Sequence, residues 1–207
     1  MPADAILLIG PTGAGKSPLG DHIEQRGLRG KRCHHFDFGQ QLRAIAAAET
    51  PPSGFTSAEH CFIRDLLEKA LLLEKEHFPI AKKIVASFLR ERRYKEVDLI
   101  VLNGLPRHAG QARDMNQVVA VRTVVVLECS SSVVHRRIRK NTGGDRSGRD
   151  DDDQLLIEKK LAIFRERTEP LVEHYRAEGS TIVRVAVTAE AAADQVYDEL
   201  ISSIPPV

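Results

Sequence analysis

The stretch Gly10-Pro11-Thr12-Gly13-Ala14-Gly15-Lys16-Ser17 joins glycines, an ammonium and a hydroxyl. It fits G-x-x-x-x-G-K-S/T at every fixed position, the spacing of a phosphate-binding loop. Glycine lets backbone N–H groups come close to an anion and take positive φ. Gly10, Thr12, Gly13, Ala14 and Gly15 would form the cradle. Lys16 would reach the β- and γ-phosphates of a nucleotide, and the Ser17 hydroxyl would hold Mg²⁺. Pro18 fits early in the following helix, where its missing N–H is not needed. A second set of candidates is cationic. Arg107 and Arg149 stand in loops, and Arg43 and Arg136 or Arg137 in the helices that follow strand ends. The arginine fork matches phosphate oxygens. Phosphoryl transfer asks mainly for in-line positioning, Mg²⁺ and cations around the transferring group.

These residues need a scaffold that brings them together. Ala5–Ile9 is a short apolar run before the loop, as a buried parallel strand should be, and Leu19–Arg26 after it can be helical. Strand, glycine loop and helix aim backbone N–H groups and the positive end of a helix at one point. Further strands are expected at 31–38, 97–102, 123–128 and 181–187. Helices are expected at 39–48, from Ser57 as N-cap to about Lys75, and at 79–93, 108–119, 130–140, 154–178 and 189–202. Alternation of strands and helices predicts a parallel sheet with helices on both faces. Ligands then sit beyond the carboxyl ends of the strands, where the glycine loop, 38–39, 103–107 and 128–131 converge.

Composition narrows the partners. The chain has 207 residues, 42% of them apolar, and a net charge of +1. One compact domain is expected. The even charge favours neither nucleic acid nor an anionic membrane. The apolar runs are far shorter than the roughly 20 residues of a membrane span. No basic-then-apolar leader opens the sequence, and the cysteines, Cys33, Cys61 and Cys129, read as free thiols of a reducing compartment. A cytoplasmic monomer binding small nucleotides is the expectation. Cys33-His34-His35 does not read as a metal site, because strand neighbours face opposite ways.

Further motifs, in order, resemble the adenylate kinase and UMP/CMP kinase family of nucleoside monophosphate kinases. Phe38-Gly39-Gln40-Gln41-Leu42-Arg43 is similar to that family's T-G-D-L-L-R. Asn103-Gly104-Leu105-Pro106-Arg107 with Gln111 is similar to D-G-F-P-R-x-x-x-Q. Gly148-Arg149-Asp150-Asp151-Asp152 is similar to G-R-x-D-D. Thr168-Glu169-Pro170-Leu171 with Tyr175 is similar to T-x-P-L…Y. The resemblance covers nearly all of the chain. It implies a three-layer α/β/α P-loop NTPase fold with a five-stranded parallel sheet. The core would be 1–37, 78–140 and 154–207, with a helical monophosphate-binding insertion at 38–77 and a short lid at 141–153.

It also implies roles. Phe38, Gly39, Arg43, Gly104, Arg107, Gln111 and Arg149 would contact the acceptor or the transferring phosphates. Gln111 would read the acceptor base, and Asp151 and Asp152 would orient the lid. Lys16, Arg107, Arg149 and Lys160 would be catalytic, and Arg136 or Arg137 would face the donor. ATP would be co-substrate, AMP the favoured acceptor and Mg²⁺ the metal.

Four positions depart from the family. Asn103 replaces an Asp of the Mg²⁺–water shell, and an amide carries no charge. Lys160 replaces an Arg, losing the fork but keeping the charge. Phe38 replaces a small hydroxyl residue near the acceptor, and Pro18 stands where Thr is common. Two other readings remain open: an ATP-binding regulatory protein with little kinase activity, and a kinase for another small acceptor.

Overall fold

The computed structural model describes residues 2–69, 71–145 and 154–204. Strand β1 (Ala3–Ile9) forms the centre of a five-stranded sheet. Its partners are β2 (Cys33–Asp37), β3 (Leu99–Asn103), β4 (Val119–Glu128) and β5 (Thr181–Ala186), in the order β2-β3-β1-β4-β5. Every pairing is parallel. The sheet is therefore the all-parallel α/β kind expected from the alternation.

Residues along β1 alternate between two cores. Ala5, Leu7 and Ile9 face one in which α2 (Phe38–Ala47), α3 (Ser57–Glu68), α4 (Phe78–Glu91), α5 (Ala109–Met115) and α8 (Leu171–Ala177) bury their apolar sides. Ile6 and Leu8 face the other, against Leu19 and Ile23 of α1 (Lys16–Arg26) and Val196, Tyr197 and Leu200 of α9 (Ala193–Ser203). A third, smaller cluster joins Val134 and Ile138 of α6 (Ser131–Lys140) to Ile157 and Leu161 of α7 (Gln154–Ile163). The period-2 pattern of each strand thus serves both faces at once.

Several boundaries differ from the sequence expectation. Thr56, not Ser57, caps α3. Its hydroxyl accepts from the Glu59 N–H while Glu59 accepts from the Thr56 N–H, closing a capping box. The helix ends at Glu68 rather than near Lys75. Leu72 and Leu73 are buried in the segment after it, so burial overrides the helical periodicity there. The stretch from Gln154 to Glu178 is not one α-helix. Phe164–Thr168 is a π-turn, closed by the Glu169 N–H donating to the Phe164 carbonyl, and α8 follows. Pro170 explains the interruption, because it has no N–H to give and its ring crowds the carbonyl four residues back. Strand β4 begins at Val119, earlier than expected, and α5 stops at Met115.

Gly20 sets how closely α1 lies on β2. A Cβ there would meet the His35 ring at 2.3 Å. His35 is buried and its Nδ1 is tied to Asp21 at 2.8 Å, so the ring cannot swing aside freely. Gly20→Ala gains about 1 kcal/mol of helix propensity, but overpacking costs roughly 1–3 kcal/mol. The buried ring makes the upper half of that cost the expectation, so a net loss of up to about 2 kcal/mol is expected by denaturant unfolding, and His35→Ala in the same chain should relieve the clash. An unchanged midpoint in Gly20→Ala would contradict this packing.

The thiols differ in reactivity for the same reason of burial. Cys33 is buried, and burial pushes its pKa up to about 11. Cys61 is exposed and Cys129 lies between. Since the thiolate is the nucleophile, a disulfide reagent at pH 8 should label Cys61 first and Cys33 only after unfolding. Early labelling of Cys33 would show that β2 opens locally.

Candidate active site

A cavity of about 940 Å³ opens beyond the carboxyl ends of β1, β2 and β3, in the range of nucleotide-sized sites. The glycine loop lies at one end. Gly13 and Gly15 have φ of +76° and +96°, values that side chains with a Cβ rarely take. A Cβ on Gly13 would also come within 2.7 Å of Ile138. Lys16 opens α1, and its Nζ donates to the Gly10 and Pro11 carbonyls at 2.8 Å each. The ammonium is therefore held over the loop that it would share with a phosphate.

Arg137 braces the loop from the α6 side. Its Nε donates to the Gly13 carbonyl at 3.0 Å, and its Nη1 donates to the Thr188 and Ala191 carbonyls at 2.8 Å each. It is 4% exposed, whereas Arg136 is exposed. Of the two adjacent arginines, Arg137 touches the loop.

At the base of the cavity three side chains meet. Asp37 ends β2, Asn103 ends β3, and the two are register partners. Ser17 Oγ donates to Asp37 Oδ2 at 2.5 Å. Asn103 Nδ2 donates to the same oxygen at 2.9 Å and to Ser17 Oγ at 3.0 Å. The other carboxylate oxygen caps α2, accepting the Gln40 N–H at 2.9 Å. Burial would push the Asp37 carboxyl up. The hydrogen bonds from Ser17 and Gln40 and the fields of His35 and Arg43 outweigh it, so the group is held below the usual carboxylate range. A hydroxyl and a carboxylate oxygen side by side are the donors that Mg²⁺ takes.

The acceptor candidates lie around the rest of the wall. Arg43 lines the cavity with its guanidinium beside Gly39, where a Cβ would meet Nη1 at 3.2 Å. Arg107 and Lys160 line it as well. Thr168 Oγ1 donates to the Arg107 carbonyl at 3.0 Å, fixing that loop. Gln111 is 1% exposed, and its amide is engaged on both sides. Oε1 accepts from the Arg107 N–H at 2.8 Å, and Nε2 donates to the Leu73 carbonyl at 2.6 Å. Phe38 turns its ring toward Phe36, centroids 6.2 Å apart, so the bulk that replaces a small residue sits mainly in the core. Gly104 lies opposite with φ of +81°, a backbone that favours glycine, and a Cβ there would stand 3.7 Å from that of Phe38. Arg149, Asp151 and Asp152 lie outside the described residues.

Asp37 and Leu73 were not among the sequence candidates, and Thr168 entered only as the first residue of the T-x-P-L…Y motif. Asp37 stands out locally as an acid one residue before the Phe38-Gly39 motif at a strand end, but nothing local names its partners.

No family model matches the chain. Curated relatives do. An adenylate kinase of Natronomonas pharaonis is 28% identical over 96% of this chain and 96% of its own. One from Thermus thermophilus is 27% identical over 93% of this chain and 92% of its own. One from Prochlorococcus marinus (strain MIT 9303) is 25% identical over 84% and 85%. Over most of its length the chain is similar to adenylate kinases. The similarity covers 84–96% of the chain. Among the described residues, no helix is long and apolar enough to cross a membrane.

Proposed function

We propose that the chain is a nucleoside monophosphate kinase that moves the γ-phosphate of ATP reversibly to a monophosphate, AMP in preference. The observation that carries the reading is one cavity with the glycine loop and Lys16 at one end and Arg43, Arg107 and Lys160 around the remainder. The likeness to adenylate kinases over most of the chain supports it.

In this reading the ATP phosphates lie on the loop N–H groups and Lys16, and Arg137 keeps the loop in shape. Arg43 holds the acceptor phosphate. Arg107 and Lys160 stabilise charge spread over the equatorial oxygens of the transferring group. Mg²⁺, when bound at Ser17, neutralises phosphate charge and helps align the donor. Leu42, Leu66, Leu73 and Phe164 give the cavity an apolar wall for a base. Residues 38–77 serve as the acceptor-binding insertion and 141–153 as the lid, the segment that carries Arg149. Closure excludes water and limits ATP hydrolysis. Gln111 acts on the base only by exchanging one of its two internal bonds. A cytoplasmic monomer belongs to the same reading.

The test is ADP formation from MgATP with AMP, CMP, UMP, GMP and dAMP in turn, beside an Arg107→Ala control. AMP should give the highest kcat/KM, and Arg107→Ala should lower it roughly 10²-fold or more. ATP binding without turnover on any monophosphate would overturn the kinase reading in favour of an ATP-binding regulatory protein.

A further inference from the structure

The resemblance implies a Mg²⁺-shell acid at the position of Asn103, an amide without charge, which leaves open the question of what supplies negative charge beside Ser17. Three observations answer it. Asp37 stands directly across from Asn103 in the β2–β3 register. Its Oδ2 is the oxygen to which Ser17 Oγ donates, at 2.5 Å. Asn103 Nδ2 donates to that same oxygen at 2.9 Å, so the amide supports the carboxylate. We propose that Asp37 is the metal-shell carboxylate of this chain, and that Asn103 positions it. The inference rests on the kinase reading in so far as it needs a nucleotide on the glycine loop.

The chemistry supports the exchange. Mg²⁺ is commonly bound through one or two carboxylates, substrate phosphates and retained waters. A charged oxygen hydrogen-bonded to the Ser17 hydroxyl meets that need, and a neutral amide does not. Asp37 also has a second task at Oδ1, capping α2. Asn caps a helix about as well as Asp. Asp37→Asn therefore removes the charge and keeps the cap, which separates the two tasks.

The experiment measures binding. A non-hydrolysable ATP analogue is titrated with and without Mn²⁺, with bound Mn²⁺ followed by electron paramagnetic resonance. The wild-type chain should bind the analogue more tightly with Mn²⁺. Asp37→Asn should lose roughly 10- to 100-fold in Mn²⁺ affinity, with metal-free analogue binding no weaker than in wild type, since a charge that repels phosphate is gone. The double exchange Asp37→Asn with Asn103→Asp should recover most of the loss.

Equal Mn²⁺ affinity in wild type and Asp37→Asn would overturn the proposal and leave the kinase reading intact. So would a wild type that binds the analogue with no benefit from Mn²⁺. A wild type that binds no analogue at all would overturn both. Should Asp37→Asn fail to fold by circular dichroism, Asp37→Ser, also a good cap, takes its place. Failure of both to fold would make Asp37 a purely structural cap and overturn the assignment.

Discussion

Replacing Lys16 with Met is expected to cut phosphoryl transfer by about 10²–10³ while the chain stays folded. The size follows from what one preorganised cation contributes in a site shielded from water, about 2.7–4 kcal/mol of barrier. Lys16 is half-buried, with Nζ held by the Gly10 and Pro11 carbonyls at 2.8 Å each. Methionine keeps the apolar stem and removes only the ammonium, so the packing of α1 on the sheet is preserved. The loss should therefore appear in single-turnover ADP formation and hardly at all in the melting temperature. Arg in its place should not restore the rate, because a planar fork does not replace a compact ammonium. Activity within tenfold of wild type in Lys16→Met would mean that the transferring group is stabilised elsewhere.

Arg137→Met should have the largest effect on stability, and Arg136→Met almost none. The Arg137 guanidinium joins three segments through the Gly13, Thr188 and Ala191 carbonyls while 4% exposed. Hydrogen bonds to a charged group contribute about 1.5–3 kcal/mol each, and they do not add fully. A loss of about 3–5 kcal/mol is expected, as for a broken buried charge network. That lowers the melting temperature by roughly 6–20 °C in a chain of this size. ATP affinity should fall as well, since the Gly13 peptide loses its brace. Arg136 is exposed, and its substitution should stay within about 0.5 kcal/mol. Equal melting temperatures for the two variants would contradict the clamp. Burial works against the Arg137 charge, since desolvation pulls its pKa down more than the nearby acids and the Cys129 sulfur push it up, and the three carbonyls help hold it there.

The fold was legible because its signals were local. All five strands were expected, four of them from apolar runs and β2 from the polar stretch 31–38, and the alternation gave the parallel sheet. The glycine loop was legible for the same reason, as a contiguous motif. The choice between Arg136 and Arg137 was also within reach. Val134 and Ile138 mark the buried stripe of α6, and Arg137 lies on that side by helical spacing. What was not legible depends on strand order. Asp37 and Asn103 are 66 residues apart, and nothing local says that β2 lies beside β3. Only that neighbourhood turns an unremarked acid into a partner of Ser17. Gln111 hid in a similar way. Its motif suggested base reading, while its actual contacts, the Arg107 N–H and the Leu73 carbonyl, come from separate loops. The early end of α3 belongs to the same class, because Leu72 and Leu73 follow tertiary burial rather than helix phase.

The π-turn at Phe164–Thr168 also governs how the chain tolerates changes in length. On a continuous α-helix, Ile157, Leu161, Leu171, Val172 and Tyr175 fall near one stripe, which is why the region reads as a single element. In the fold they serve different layers. Ile157 and Leu161 pack on α6, whereas Leu171, Val172 and Tyr175 enter the core beneath the sheet. The wide turn accommodates one extra residue, and one residue is about 100° of rotation. The turn is thus a phase shifter between two helices that answer to different neighbours. A single-residue deletion there would restore α-helical phase and swing Tyr175, 1% exposed, out of its place. The same deletion in the exposed loop around Gly54 would leave every buried face where it is.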